Sequence, residues 1–185
     1  VLQPSEWDRI VGVSEFTVEP AALADRPKVG AFHRAHLERI VALKPDLILA
    51  TRDGNSRDQV LRLEDLGYPV VTVNSRTLEQ IEESFLQIGQ AVGSPDGGKA
   101  AASDFRVKLE RLRGALSGRP LRVVIQLGSS PLVVAGRSFV SEAVEVLGVR
   151  NVFRDFSGYP KPSLEELLRQ KPDVVIVVGA ARAPE

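Results

Sequence analysis

The sequence contains no cysteine and no methionine, only two histidines, and few aromatic residues: seven Phe, two Tyr and one Trp in 185 positions. Without cysteine there are no disulfides, no thiolate zinc or iron–sulfur ligands and no Cys nucleophile. Without methionine, residue 1 is not expected to be a native start, and the stretch from Val1 does not read as a charged n-region with an apolar h-region, so the expectation is a processed or trimmed chain. No sign of charge dominates. Twenty-four basic and 24 acidic residues cancel, which argues against nucleic acid or another polyanion as partner. No apolar run approaches the about 18 residues needed to span a bilayer.

What remains is ordinary for a soluble globular protein: 43% hydrophobic and 26% charged residues. The chain is organised around a unit that occurs twice. Residues 36–50 read His-Leu-Glu-Arg-Ile-Val-Ala-Leu-Lys-Pro-Asp-Leu-Ile-Leu-Ala, and residues 163–177 read Ser-Leu-Glu-Glu-Leu-Leu-Arg-Gln-Lys-Pro-Asp-Val-Val-Ile-Val. They align without a gap. In each, a short amphipathic helix must end before the proline. A continuous aliphatic run follows, as in a parallel strand buried on both faces. One copy alone would be a common α/β junction. Two copies with glutamate at the same place, Glu38 and Glu165, predict two similar lobes.

Ahead of the first copy the pattern predicts a strand at 9–13, a loop at 14–20 and a loop at 30–35. Strand 47–50 is followed by the turn-rich loop 51–55, helix 56–66, strand 70–73 and helix 78–92. Residues 93–98 form the clearest break, and a helix is expected from about Lys99 to Leu116. Phe105, Leu109, Leu112 and Leu116 recur at helical spacing along it, over a length of about 27 Å. Strand 122–127, a short strand at 132–135, helix 138–147 and a strand near 151–153 precede the second unit. The resulting division is an N-terminal lobe at 1–95, a connecting helix at 96–118 and a C-terminal lobe at 119–185.

No catalytic constellation stands out. Gly93 to Lys99 has the glycine and lysine spacing of a phosphate-binding loop. However, Ala100 occupies the place of the magnesium-binding hydroxyl, and the segment follows a helix rather than a strand. A linker with a helix start is the better reading. Gly12-Val13-Ser14-Glu15-Phe16 lacks the second glycine of a nucleophile elbow. His33 and His36 are too few for a transition-metal site, which needs three or four ligands. A single axial ligand to a haem or cobalt macrocycle needs only one residue. Binding is therefore the favoured class.

In open parallel sheets ligands lie beyond the carboxyl ends of the strands, and two facing lobes would enclose a cleft. The loops there offer Phe16, Phe32 and Tyr159 as flat apolar surfaces, with Arg52 and Asn55 as polar handles. Such a set suits a large, partly apolar ligand.

These residues carry a resemblance to the type III periplasmic binding proteins of ABC importers, most closely to the vitamin B12-binding members, with siderophore- and haem-binding members near. The matching stretches include Gly12-Val13-Ser14-Glu15-Phe16 with Pro20, Leu37 to Leu47, Arg52 with Gly54-Asn55, and Gln59-Val60. Leu66-Gly67, Gln126-Leu127-Gly128, Gly148 with Asn151-Val152-Phe153, and Tyr159-Pro160 with Ser163 and Glu165 complete them. The resemblance implies an α/β fold of two Rossmann-like lobes with parallel sheets, joined by one long rigid helix and truncated at both ends. It implies no catalysis and no cofactor beyond a bound metal chelate such as cobalamin, haem or a ferric siderophore. Ligand-binding positions would be Phe16, Phe32, His33, Thr51, Arg52, Asn55, Pro131 and Tyr159, although Thr51 stands where an aromatic is expected. Glu38 and Glu165 would dock on the transmembrane permease dimer. Location would be periplasmic, or lipid-anchored on the outer face of the cytoplasmic membrane. A metal- or cofactor-handling α/β enzyme of chelatase type is the alternative from another class.

Overall fold

The computed structural model describes residues 1–18, 20–31, 33–116, 118, 120–129 and 132–178. The chain forms two compact units. One comprises Val1–Ser75 with Glu79–Asp104, the other Arg76–Leu78 with Phe105–Glu185.

The first unit begins with a 3-10 helix, Pro4–Arg9. Pro4 supplies the fixed φ of a first turn, Glu6 accepts the Gln3 N–H at 3.0 Å, and Arg9 pairs with Glu6 at 3.1 Å. These local contacts overturn the expected strand at 9–13. Only Val13 pairs there, in a parallel bridge with Lys28. Helix α1 (Ala21–Ala24) leads to the two-residue strands β1 (Gly30–Ala31) and β2 (Arg34–Ala35), an antiparallel hairpin. Helix α2 (Leu37–Ala42), strand β3 (Ile48–Thr51), helix α3 (Arg57–Asp65) and strand β4 (Val70–Val73) follow. β3 and β4 are parallel with Ile48 opposite Val70 and Thr51 opposite Val73, so α3 is the crossover. Gly67, with φ +86°, ends that crossover helix.

Helix α4 (Leu78–Ala91) and helix α5 (Pro95–Leu112) come next, and the two units divide within α5, between Asp104 and Phe105. α5 starts four residues before the expected Lys99 and ends before Leu116. Proline is favoured in a first helical turn, and the glycines that looked like a linker are needed in the helix. A Cβ on Gly98 would lie 2.6 Å from the Phe85 carbonyl, and one on Gly89 would lie 2.7 Å from Gly98 Cα. The two helices approach to backbone contact there. Gly114, at φ +66°, follows the early end, and Leu116 instead donates its N–H to Leu147 O.

The second unit is built on strand β5 (Arg122–Ser129), which pairs antiparallel with β6 (Leu132–Val134). It pairs in parallel with β7 (Arg150–Asn151) and β8 (Val174–Val177). Helix α6 (Phe139–Glu145) precedes β7, and helix α7 (Leu164–Arg169) precedes β8. Successive β5 residues feed opposite faces of the sheet. Val123 and Ile125 pack with Ala135 and Val149, whereas Val124 packs with Val134, Phe153 and Leu167. This is the pattern of a sheet covered on both faces.

Two aliphatic runs depart from expectation. Leu49 of β3 is 47% exposed, and Val174, Val175 and Val177 of β8 are 40–52% exposed. Each strand has one partner strand among the described residues, so side chains suited to a doubly covered position stay open. In the first unit a groove of about 940 Å³ runs beside β3, lined by residues including Ile10, Gly12, Leu43, Leu49, Ile88 and Val92.

Candidate functional site

The carboxyl ends of β3 and β4, the loop at 14–17 and the β1–β2 hairpin meet in the first unit. Glu15 donates its N–H to Gly30 O at 3.0 Å, which joins the loop of Phe16 to the hairpin. Lys28 Nζ donates to Thr17 O at 2.8 Å, and the Ser14 and Thr17 hydroxyls lie 3.1 Å apart, so both ends of that loop are held. Gly30 sits at φ +101°. A Cβ there would lie 2.8 Å from both Arg34 O and His36 Cδ2, so the hairpin closes only around glycine.

Gln59, on α3, makes two hydrogen bonds to one residue. Its Nε2 donates to Ala35 O at 2.9 Å, and its Oε1 accepts from Ala35 N at 3.3 Å. Asn55 Oδ1 accepts the Thr51 N–H at 2.7 Å and closes the loop between β3 and α3. Arg52 N–H donates to Val73 O at 2.9 Å, which carries the β3–β4 pairing into that loop. The result is one rim tied together by hydrogen bonds.

On this rim Phe16 is 59% exposed, His33 and Arg52 are exposed, and Thr51 and Asn55 are half-buried. Asn74, directly after β4, has its side-chain oxygen buried without a hydrogen-bond partner. Asn55 is more than a polar handle, since its oxygen shapes its own loop. Phe32 and Pro131 lie outside the described residues. Tyr159 belongs to the second unit, where it is 46% exposed. Its loop is zipped to the end of β6 and the residues after it by three bonds: Val134 N–H to Pro160 O, Gly136 N–H to Gly158 O, and Arg137 N–H to Phe156 O. Phe156, which the sequence reading passed over, is 37% exposed in the same loop, with its ring 5.3 Å from Phe153. Gln59 was quoted only as part of a matching stretch; its role depends on a contact that spacing does not reveal.

Glu38 and Glu165 occupy equivalent places, the second residues of α2 and α7, and both are exposed. Negative charge is favoured at a helix start. Glu165 also pairs with Arg169 at 2.9 Å, an exposed contact of small energetic worth.

Chemically the rim offers an aromatic face, a guanidinium and an imidazole. Among the described residues no group of three or more His, Asp or Glu is placed to hold a metal ion. The arrangement suits non-covalent capture of a ligand that is partly flat and partly polar.

The family model described as periplasmic binding protein matches residues 2–184. The chain belongs to this family. It is 33% identical over 178 residues to the vitamin B12-binding protein of Pectobacterium carotovorum subsp. carotovorum (strain PC1), covering 94% of this chain and 64% of that protein. The chain thus spans slightly less than two thirds of that relative's length. The crystal structure of the periplasmic vitamin B12-binding protein BtuF of Vibrio cholerae is similar at a TM-score of 0.80 and 30% identity, covering 91% of this chain and 68% of that one. A periplasmic heme-binding protein from Pseudomonas aeruginosa is similar at 0.78 and 29%, covering 90% and 63%. The α/β architecture described above is the fold of these periplasmic binding proteins. Among the described residues no helix is long and apolar enough to cross a membrane.

Proposed function

We propose that the chain is the ligand-capturing part of a solute-binding protein that serves an ABC importer, and that its ligand is a corrinoid. The observation that carries this reading is the hydrogen-bonded rim of the first unit, which presents Phe16, His33 and Arg52 beyond the ends of β3 and β4. Similarity to vitamin B12-binding proteins supports the ligand class. The protein works by binding and release, without catalysis. The metal belongs to the ligand and is not a resident cofactor. Tyr159, an exposed aromatic of the second unit, is a ligand-contact candidate in its own right. Glu38 and Glu165 dock on a transmembrane permease dimer, in the periplasm or from a lipid anchor on the outer face of the cytoplasmic membrane.

The test is fluorescence of Trp7, Tyr68 and Tyr159 during titration with cyanocobalamin, corrected for ligand absorbance. Saturable quenching supports the reading. Quenching by haem or a ferric siderophore instead would replace the ligand within the same class. No response to any of the three would overturn capture by this chain.

A second reading, haem as ligand, is favoured by the exposed His33 on the hairpin tip, because a haem iron needs only one or two axial side chains. A haem absorption spectrum that changes on binding and reverts in His33→Ala would select it.

A further inference from the structure

We infer that Gln59 is a positioning residue that holds the β1–β2 hairpin so that its tip, which carries His33, stands ready for ligand. The inference rests on the capture role proposed above and assigns a part of the mechanism to a side chain that need not touch ligand.

The hairpin cannot order itself. Each strand has two residues, with Gly30 opposite Ala35 and Ala31 opposite Arg34. An isolated hairpin is marginal in water even when longer. Its order comes from outside. On one edge Gly30 O accepts the Glu15 N–H at 3.0 Å. On the other edge, the N–H and C=O of Ala35 both face the Gln59 amide, at 3.3 and 2.9 Å. A primary amide has one acceptor and one donor end, so it completes the pairing of Ala35 as a neighbouring strand would. The base of the hairpin is closed by the His36 N–H on Val29 O at 2.8 Å. Gln59 is the member of this set that comes from a helix, and α3 starts at Arg57, just beyond the loop of Arg52 and Asn55. One side chain therefore links hairpin and loop. If it is lost, the tip must be ordered by the ligand itself, which lowers affinity.

The test uses the chain as it stands. Gln59→Leu keeps the bulk and removes both bonds. Gln59→Glu keeps an acceptor for Ala35 N but sets an oxygen against Ala35 O. Leu63→Ala, a buried site on the same helix, is the control for general loss of stability. Amide hydrogen exchange at Ala35 and cyanocobalamin affinity are measured for each variant, at a temperature where all are folded. Gln59→Leu should speed Ala35 exchange and weaken cyanocobalamin binding, each by about tenfold, with α3 amides unchanged, and Gln59→Glu, which loses the bond to Ala35 O alone, should fall between it and the parent chain. Leu63→Ala should lower Tm with less effect on affinity.

Unchanged Ala35 exchange in Gln59→Leu would overturn the inference. So would a loss of affinity no larger than that of Leu63→Ala. A wild-type chain that binds no cyanocobalamin would refute the functional reading and the ligand half of this inference, while exchange at Ala35 would still decide whether the clamp exists.

Discussion

Lys44 and Lys171 share a backbone conformation that, among the described residues, no other non-glycine residue adopts: φ is +48° at one and +46° at the other. They hold the same place in the two repeated units. Each follows a six-residue helix, α2 or α7, and precedes Pro-Asp. The left-handed residue ends the helix, and the proline prevents its resumption. The repeat is therefore one of backbone geometry as well as of letters.

A side chain in this conformation costs about 1–2 kcal/mol, whereas glycine avoids the clash but loses about 0.5–1 kcal/mol through the greater freedom of the unfolded chain. Lys44→Gly and Lys171→Gly should each raise stability, by about 0.5–1 kcal/mol. Lys44→Val, with its branched Cβ, should lower it. Urea denaturation midpoints would check both. A destabilised glycine variant would show that the lysine side chains carry a contact worth more than the strain.

Asn151 holds the second unit together from within. It is fully buried, donates Nδ2–H to Ala135 O and Ser141 Oγ, each at 2.8 Å, and accepts the Phe153 N–H at 3.1 Å. Asn151→Ala leaves these buried partners unsatisfied and should cost about 2–4 kcal/mol. Asn151→Leu, which restores bulk but no bonds, should recover little of that loss. Equilibrium unfolding followed by circular dichroism would measure the two.

Phe16 separates binding from stability. At 59% exposure its ring contributes little to a core, so Phe16→Ala should change stability by no more than about 0.5 kcal/mol. If the rim captures ligand, the same change should weaken cyanocobalamin binding by about tenfold, in keeping with a lost aromatic face. Calorimetric titration beside a thermal melt would show whether the two effects part.

The carboxylates Glu38 and Glu165 test delivery. Neither is needed for folding, given their exposure at helix starts. Glu38→Ala combined with Glu165→Ala should leave ligand affinity unchanged and weaken stimulation of ATP hydrolysis by a reconstituted importer. Each single variant should lose less than the pair. Full stimulation by the double variant would remove the docking role.

Local signals explain which parts were legible in advance. Lys-Pro-Asp set the ends of α2 and α7 and the starts of β3 and β8, because the steric limits of proline and of a left-handed residue act within a few positions. The run Val70–Val73 became β4 with the expected bounds. The expected helix at 78–92 became α4, Leu78–Ala91. The aromatic and polar candidates at the strand ends followed from chain order, and the described ones on the first unit's loops do share a rim.

Tertiary structure decided the rest. Residues 9–13 carry strand-like side chains, yet a strand exists only where another strand pairs with it, and Val13 alone found a partner. Gly97 and Gly98 resemble a linker by composition and lie inside α5, because Gly89 on α4 allows the two backbones to touch. The Gln59–Ala35 clamp joins positions 24 residues apart. Sequence determined the elements whose causes lie within a turn or two of chain. Folding decided the contacts that need distant segments to meet, since those depend on which surfaces are left to pair once the elements have packed.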